Sequence, residues 1–179
     1  NKSNNKIKDY IMKLYLDMDG VIADFFGKVE ERFDVKHWKD LEDPSKTIDS
    51  FKNTNWFYTL NPFLTSADLV AACRRIAGRE YGICSSPIGG DEYNSGYWKR
   101  EWLKQWGFLP EIHNLIFTGN KHRYATHRIS GEPNILVDDK PDNIQRWINA
   151  GGIGIRYQAN KDSLEQLIAN IENSYRVTS

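Results

Sequence analysis

Short apolar runs alternate along this chain with stretches whose apolar residues recur every three or four positions. The runs at 14–16, 80–84, 114–117, 134–137 and 153–157 are bounded by turn chemistry and too short for helices, so they predict buried strands. Helical spacing appears between them. Phe25, Phe26, Val29 and Phe33 predict a helix over about 24–35, and Leu69, Val70, Cys73 and Ile76 predict one over about 66–77 with Thr65 or Ser66 as cap. Trp98, Trp102 and Trp106 form an i, i+4, i+8 stripe on a helix of about 95–106 closed by Gly107. Pro141 opens a helix that turns Ile144, Trp147 and Ile148 inward and stops at Gly151-Gly152. A last helix carries Leu164, Leu167, Ile168 and Ile171. Strands alternating with helices predict an α/β fold of three layers, a Rossmann-like parallel sheet covered on both faces. Residues 36–63 carry no period and are expected to be short helices and loops inserted after the first strand–helix unit.

At 179 residues the chain suffices for one domain with a sizeable core. We expect that domain over 12–179, with an insertion at about 25–63. Residues 1–11 are polar and unpatterned and are expected to be a disordered leader or an appended remnant. Acidic and basic residues balance at 24 each, so no global field points to nucleic acid or membrane. No apolar run approaches the roughly 18 residues of a membrane span. Cys73 and Cys84 fall in a helix and a strand and read as buried, reduced thiols, which suits a cytoplasmic protein. A homodimer is compatible with this composition.

The chemistry gathers at predicted strand ends, where open parallel sheets form their sites. Asp17 and Asp19, spaced i and i+2, end the first strand and point to one side unless the turn at Gly20 diverts the second. Two like charges held together need a cation or a shared proton. Ser85 and Ser86 end the second strand, Thr118-Gly119-Asn120-Lys121 follows the third, and Asp138 and Asp139 end the fourth. Clustered carboxylates without His or Cys at ligand spacing suit a hard cation, Mg2+ above all. A carboxylate beside Mg2+ can attack phosphorus to give an aspartyl-phosphate, and a second can protonate the leaving oxygen and then activate water. Gly89-Gly90 and Gly151-Gly152 form no nucleotide fingerprint, and His37, His113, His122 and His127 lack ligand spacing.

Asp17-Met18-Asp19-Gly20-Val21, Ser85 after an apolar strand, Lys121, and Val137-Asp138-Asp139 together resemble the four motifs of the haloacid dehalogenase (HAD) superfamily of phosphohydrolases. The resemblance implies a HAD-like fold with a small helical cap, Asp17 as nucleophile, Asp19 as general acid/base, and Ser85 and Lys121 on the phosphoryl group. It also implies Mg2+ held by Asp17, the Asp19 carbonyl and Asp139, with Asp138 as second choice. More narrowly, Asp17 to Phe25, Ile83-Cys84-Ser85-Ser86-Pro87-Ile88, Asp138-Asp139-Lys140-Pro141-Asp142 and the Asn55 to Pro62 segment resemble the 5'(3')-deoxyribonucleotidases. That resemblance implies a small-molecule nucleotide substrate, bordered by Phe25, Phe57, Ser86, Ile88 and Lys140. Where mammalian members carry Arg, this chain has Gly119 and Lys140. Two readings compete with nucleotide hydrolysis. One is a phosphatase for sugar phosphates or nucleic-acid 3'-ends, the latter favoured only by the basic 121–128 loop, and the other is a non-catalytic phosphate-binding module, which would not need the full set of residues.

Overall fold

In the computed structural model, which describes residues 12–178, strands β1 (Leu14–Leu16), β2 (Tyr81–Ser85), β3 (Leu115–Phe117), β4 (Ile135–Asp138) and β5 (Ile153–Arg156) form one parallel sheet. The leader expected at 1–11 lies outside the described residues. The strand order is β3-β2-β1-β4-β5, so β1 is central, with Leu14 in register with Tyr81 on one side and Ile135 on the other. The fold is α/β and Rossmann-like.

Alternation along the strands builds two cores, because successive side chains point to opposite faces. Leu14, Leu16, Ile83, Ile135 and Val137 face one cluster, which is completed by helix α3 (Ser66–Ala77), helix α4 (Glu92–Trp106) and helix α6 (Leu164–Thr178). Tyr15, Cys84 and Leu136 face the other, where Trp147 of helix α5 (Pro141–Asn149) is fully buried and meets Tyr15 edge to face at 5.9 Å. Both cysteines are buried and unpaired with each other, and burial pushes the Cys84 thiol up to about 12, which keeps it neutral.

Helix α1 (Phe25–Phe33) is capped by Asp24, whose side chain accepts from the Gly27 N–H. Between α1 and α3 lie a 3-10 turn at Trp38–Asp40, helix α2 (Pro44–Asp49) and a second 3-10 turn at Trp56–Thr59. Aromatic packing fixes this segment. Phe51 stacks on Trp56 at 3.8 Å, and Phe25 packs against Phe51, Trp56 and Phe57. Asp91 accepts from the Asn53 N–H, and Trp102 donates to the Leu60 carbonyl, so α4 clasps the segment from outside.

Local details depart from the periodicity. Helix α4 begins at Glu92, one turn earlier than the Trp stripe indicates, and Trp106 at its end is 40% exposed. Ile148 is 45% exposed rather than inward, because Trp147 and Ile144 already fill the space beneath α5. Thr65 occupies the cap position of α3 but makes no capping hydrogen bond.

Candidate active site

The turn after β1 separates the two carboxylates. Asp17 continues the ladder, its N–H donating to the Val137 carbonyl, and by alternation its side chain shares a face with Tyr15. The Val21, Ile22 and Ala23 N–H groups then all converge on the Met18 carbonyl, which winds the chain away. Gly20 makes this turn possible. Its φ is +83°, and a Cβ there would overlap the Asp139 carboxylate.

Asp17 Oδ1 accepts from the Met18 N–H at 2.8 Å and from Lys121 Nζ at 2.9 Å. Lys121 also bonds Asp138 Oδ2 at 2.7 Å, and Asn143 Nδ2 and the Lys140 N–H hold Asp138 as well. Asp17, Asp138 and Asp139 each present an oxygen within 4.8 Å of the others. Crowding is visible in their protonation. Burial, then the neighbouring Asp138, pushes the Asp17 carboxyl up to about 6 against the pull of Lys121. Burial, with Asp17, Asp138 and Asp19 nearby, pushes Asp139 up to about 8. Burial alone would lower the Lys121 ammonium, but the facing Asp17 and Asp138 more than offset it and raise it.

Asp19 has a different partner. Its Oδ2 pairs with Lys99 Nζ at 3.1 Å, while its Oδ1 is buried with no hydrogen-bond partner. Burial raises its carboxyl, and Lys99 opposes the rise. Lys99 is fully buried, donates to Ser85 Oγ at 2.6 Å and to the Ser86 carbonyl at 2.9 Å, and lies over the Phe57 ring at 4.5 Å. Sequence reasoning missed this lysine, because the Trp stripe dominated the reading of α4. The signal was present, since Ser95, Lys99 and Trp102 share one helical face.

A cavity of about 280 Å3 is lined by Asp17, Ser86, Gly119, Lys121, Asp139, Lys140, Asp142, Asn143 and Arg146. A more open one, of about 410 Å3, is lined by Ser45, Ile48, Asp49, Ser86, Pro87, Ile88 and Gly89, and Ser86 is common to both. The structure therefore brings Asp17, Lys121, Asp138, Asp139 and Lys140 together, while Lys99 ties Asp19 to Ser85 and to the carbonyl of Ser86, which lines the Asp17 cavity. Ile88 lies in the second cavity. Phe25 and Phe57 line neither of these two cavities; they are 6% and 3% exposed and belong to the aromatic core beneath the site. Asn143 and Arg146 were not anticipated from the sequence.

A Rossmann-like sheet whose central strand and its neighbours end in an acidic, lysine-studded crevice is the arrangement in which open α/β folds bind ligands. No family model matches the chain. Over 153 residues it is 26% identical to a human protein named "5'(3')-deoxyribonucleotidase, mitochondrial", covering 73% of this chain and 63% of that one. It is likewise 26% identical to the mouse protein of the same name, covering 66% of it. The matched region thus spans just under two thirds of these curated relatives. The similarity to deoxyribonucleotidases carried by the motifs is found again in these alignments. Among solved structures, a HAD-superfamily hydrolase from Ehrlichia chaffeensis is 12% identical, with 89% of this chain and 95% of that chain covered and a TM-score of 0.49. A HAD hydrolase from Entamoeba histolytica is also 12% identical, with 90% and 99% covered and a TM-score of 0.48.

Proposed function

We propose that this protein is a Mg2+-dependent phosphomonoesterase of nucleoside monophosphates, with 5'(3')-deoxyribonucleotides as its substrate class, working through an aspartyl-phosphate on Asp17. One observation carries the reading. Two carboxylates, two residues apart on a single turn, each own a separate buried lysine, Asp17 with Lys121 and Asp19 with Lys99. That division suits two different jobs.

Lys121 and the Met18 N–H fix Asp17 through Oδ1, which leaves Oδ2 without a partner among the described residues and free to attack phosphorus. As the Oδ2–P bond forms and the ester P–O bond breaks, the leaving oxygen takes a proton from Asp19. Asp19 then accepts a proton from the water that attacks the phospho-enzyme, and Asp17 and phosphate are released. Lys99 holds Oδ2 of Asp19, and the buried Oδ1 has no protein partner competing for the proton. Lys121 offsets charge on the phosphoryl oxygens, and the hydroxyls of Ser85 and Ser86 donate hydrogen bonds to them.

Mg2+ fits the donor set, because Asp17, Asp138 and Asp139 are hard oxygen ligands crowded enough that two hold raised carboxyls without a cation. Asp139 is the favoured carboxylate ligand, and the Asp19 carbonyl would join it on the ion. Asp138 is already engaged by Lys121, Asn143 and the Lys140 N–H and serves to orient. When bound, the ion supplies positive charge against the phosphoryl oxygens and lets Asp17 remain ionised. The nucleoside lies toward Ile88 in the second cavity, and Phe25 and Phe57 support the site from behind.

Phosphate release from a panel of deoxyribonucleotides, ribonucleotides and sugar phosphates, with and without Mg2+, tests the assignment. Preferential, Mg2+-dependent turnover of deoxyribonucleoside monophosphates is expected. Equal turnover of sugar phosphates would overturn the nucleotide class, and full activity in excess chelator would remove the metal.

A further inference from the structure

The cavity that holds Asp17 does not end at the phosphoryl centre. It continues along α5, where Asp142, Asn143 and Arg146 line it, with Lys140 at the strand end and Gly119 also in its lining. Arg146 stands three and four residues past Asn143 and Asp142, so the three share one helical face. Lys140 and Arg146 are about 9 Å apart along the helix axis, at roughly 1.5 Å per residue. Neither side chain has a hydrogen bond or ion pair among the described residues, and both are exposed. Along α5 the two cations outnumber Asp142, while the cavity as a whole sets Lys121, Lys140 and Arg146 against Asp17, Asp139 and Asp142.

Two further properties define what the arm would hold. Its lining includes no aromatic or aliphatic side chain, so it offers nothing to a base. A Cβ at Gly119 would meet nothing within 4 Å, so the cavity is open beside Gly119. The charge of the reacting phosphoryl group is already served by Lys121 and by the hydroxyls of Ser85 and Ser86. Two unpaired cations in a wholly polar extension have use only for a second anion.

We propose that the α5 arm, through Arg146 and Lys140, binds a second phosphate of the substrate, so that nucleoside 3',5'-bisphosphates are preferred over monophosphates. This rests on the phosphatase reading above. Asp17 Oδ2 then takes one phosphoryl group as its ester P–O bond breaks and Asp19 protonates the leaving hydroxyl; water, giving a proton back to Asp19, hydrolyses the aspartyl-phosphate, and inorganic phosphate and a nucleoside monophosphate result. The second phosphate is held throughout.

The test compares thymidine 5'-monophosphate with thymidine 3',5'-bisphosphate by steady-state kinetics on the wild type, Arg146→Ala and Arg146→Lys. Wild-type kcat/KM is expected to be about tenfold or more higher for the bisphosphate, through KM, the worth of one charge-assisted hydrogen bond. Arg146→Ala should bring that ratio close to one, and Arg146→Lys should keep most of it. Equal values in the wild type, or a ratio untouched by Arg146→Ala, would overturn the subsite while leaving the phosphatase standing. Equilibrium binding of both compounds to Asp17→Asn separates the two readings. Tighter bisphosphate binding without wild-type turnover of either compound would overturn the phosphatase and keep the subsite. A 5'-phosphorylated thymidine dinucleotide that binds more tightly than the bisphosphate would assign the arm to a phosphodiester and overturn the proposal.

Discussion

Mg2+ binding should expel protons in a number that follows from the crowding of three carboxylates. The Asp139 carboxyl is pushed up to about 8 and that of Asp17 to about 6. At pH 7 the pair then shares about one proton, so one bound ion should release about one. The count should approach two near pH 5 and vanish above about pH 9. Affinity should fall about tenfold per pH unit between 8 and 6, and more steeply below. Titration calorimetry in buffers of different ionisation enthalpy reads the count directly. Asp139→Asn should cut the pH 7 release to about a tenth of a proton and weaken binding. A release near zero at pH 7, or an affinity flat from pH 6 to 8, would refute the assignment of this cluster as a cation site. The same values set the stability of the metal-free protein. Both carboxyls lie above their ordinary 3.8, so the folded state keeps protons that the unfolded chain has lost. That contribution is full below about pH 4 and is lost as pH rises through 6 and then 8.

Asp17→Asn should abolish turnover yet raise the metal-free Tm at pH 8, since one charge leaves a crowded cluster; phosphate release near the wild-type rate would exclude the covalent route. Asp19→Asn should slow phospho-enzyme formation by roughly 100- to 10,000-fold with an alkyl ester, with partial rescue by p-nitrophenyl phosphate, whose leaving group needs no proton. Equal loss with both esters in rapid-quench experiments would make Asp19 structural. Lys99→Met strands the Asp19 carboxylate without its counter-charge and should cost about 3–5 kcal/mol in urea denaturation; an unchanged midpoint would show that the pair contributes nothing to the fold.

Those variants divide the site between what the chain displays openly and what it conceals. Asp17, Asp19, Lys121, Asp138 and Asp139 are legible because polar residues that end apolar strands have one place to go, the carboxyl edge of a parallel sheet. The strand pattern itself needs only short apolar runs bounded by turn residues. Lys99 is hidden for a physical reason, since a cation on an aromatic-rich helix normally reads as solvated surface. Its burial depends on Asp19, Ser85 and Phe57, which lie 80, 14 and 42 residues away in the chain. The spacing of Asp17 and Asp19 suggests convergence, but the Gly20 turn sends them to different lysines, and a turn's direction is not carried by the period of a strand. Phe25 and Phe57 show the same limit. An aromatic near a motif can face the ligand or the core, and only packing decides, of Phe25 against Phe51 and Trp56 and of Phe57 against Phe25.

The place of β1 in the middle of the sheet governs how the site can be lost. Leu14, Tyr15 and Leu16 are paired on both sides, and the Asp17 N–H extends the ladder to Val137. Backbone amides in such a strand exchange with solvent only when nearly the whole fold opens, whereas exposed turns open at almost no cost. Deuterium should therefore enter the Trp38–Asp40 and Pro44–Asp49 region long before it reaches the backbone at Asp17. Denaturant or a protease can fray the periphery without moving the proposed nucleophile. Hydrolysis of a small aryl phosphate should then fail only with global unfolding, whereas the second cavity loses its Ser45, Ile48 and Asp49 wall as soon as the periphery frays.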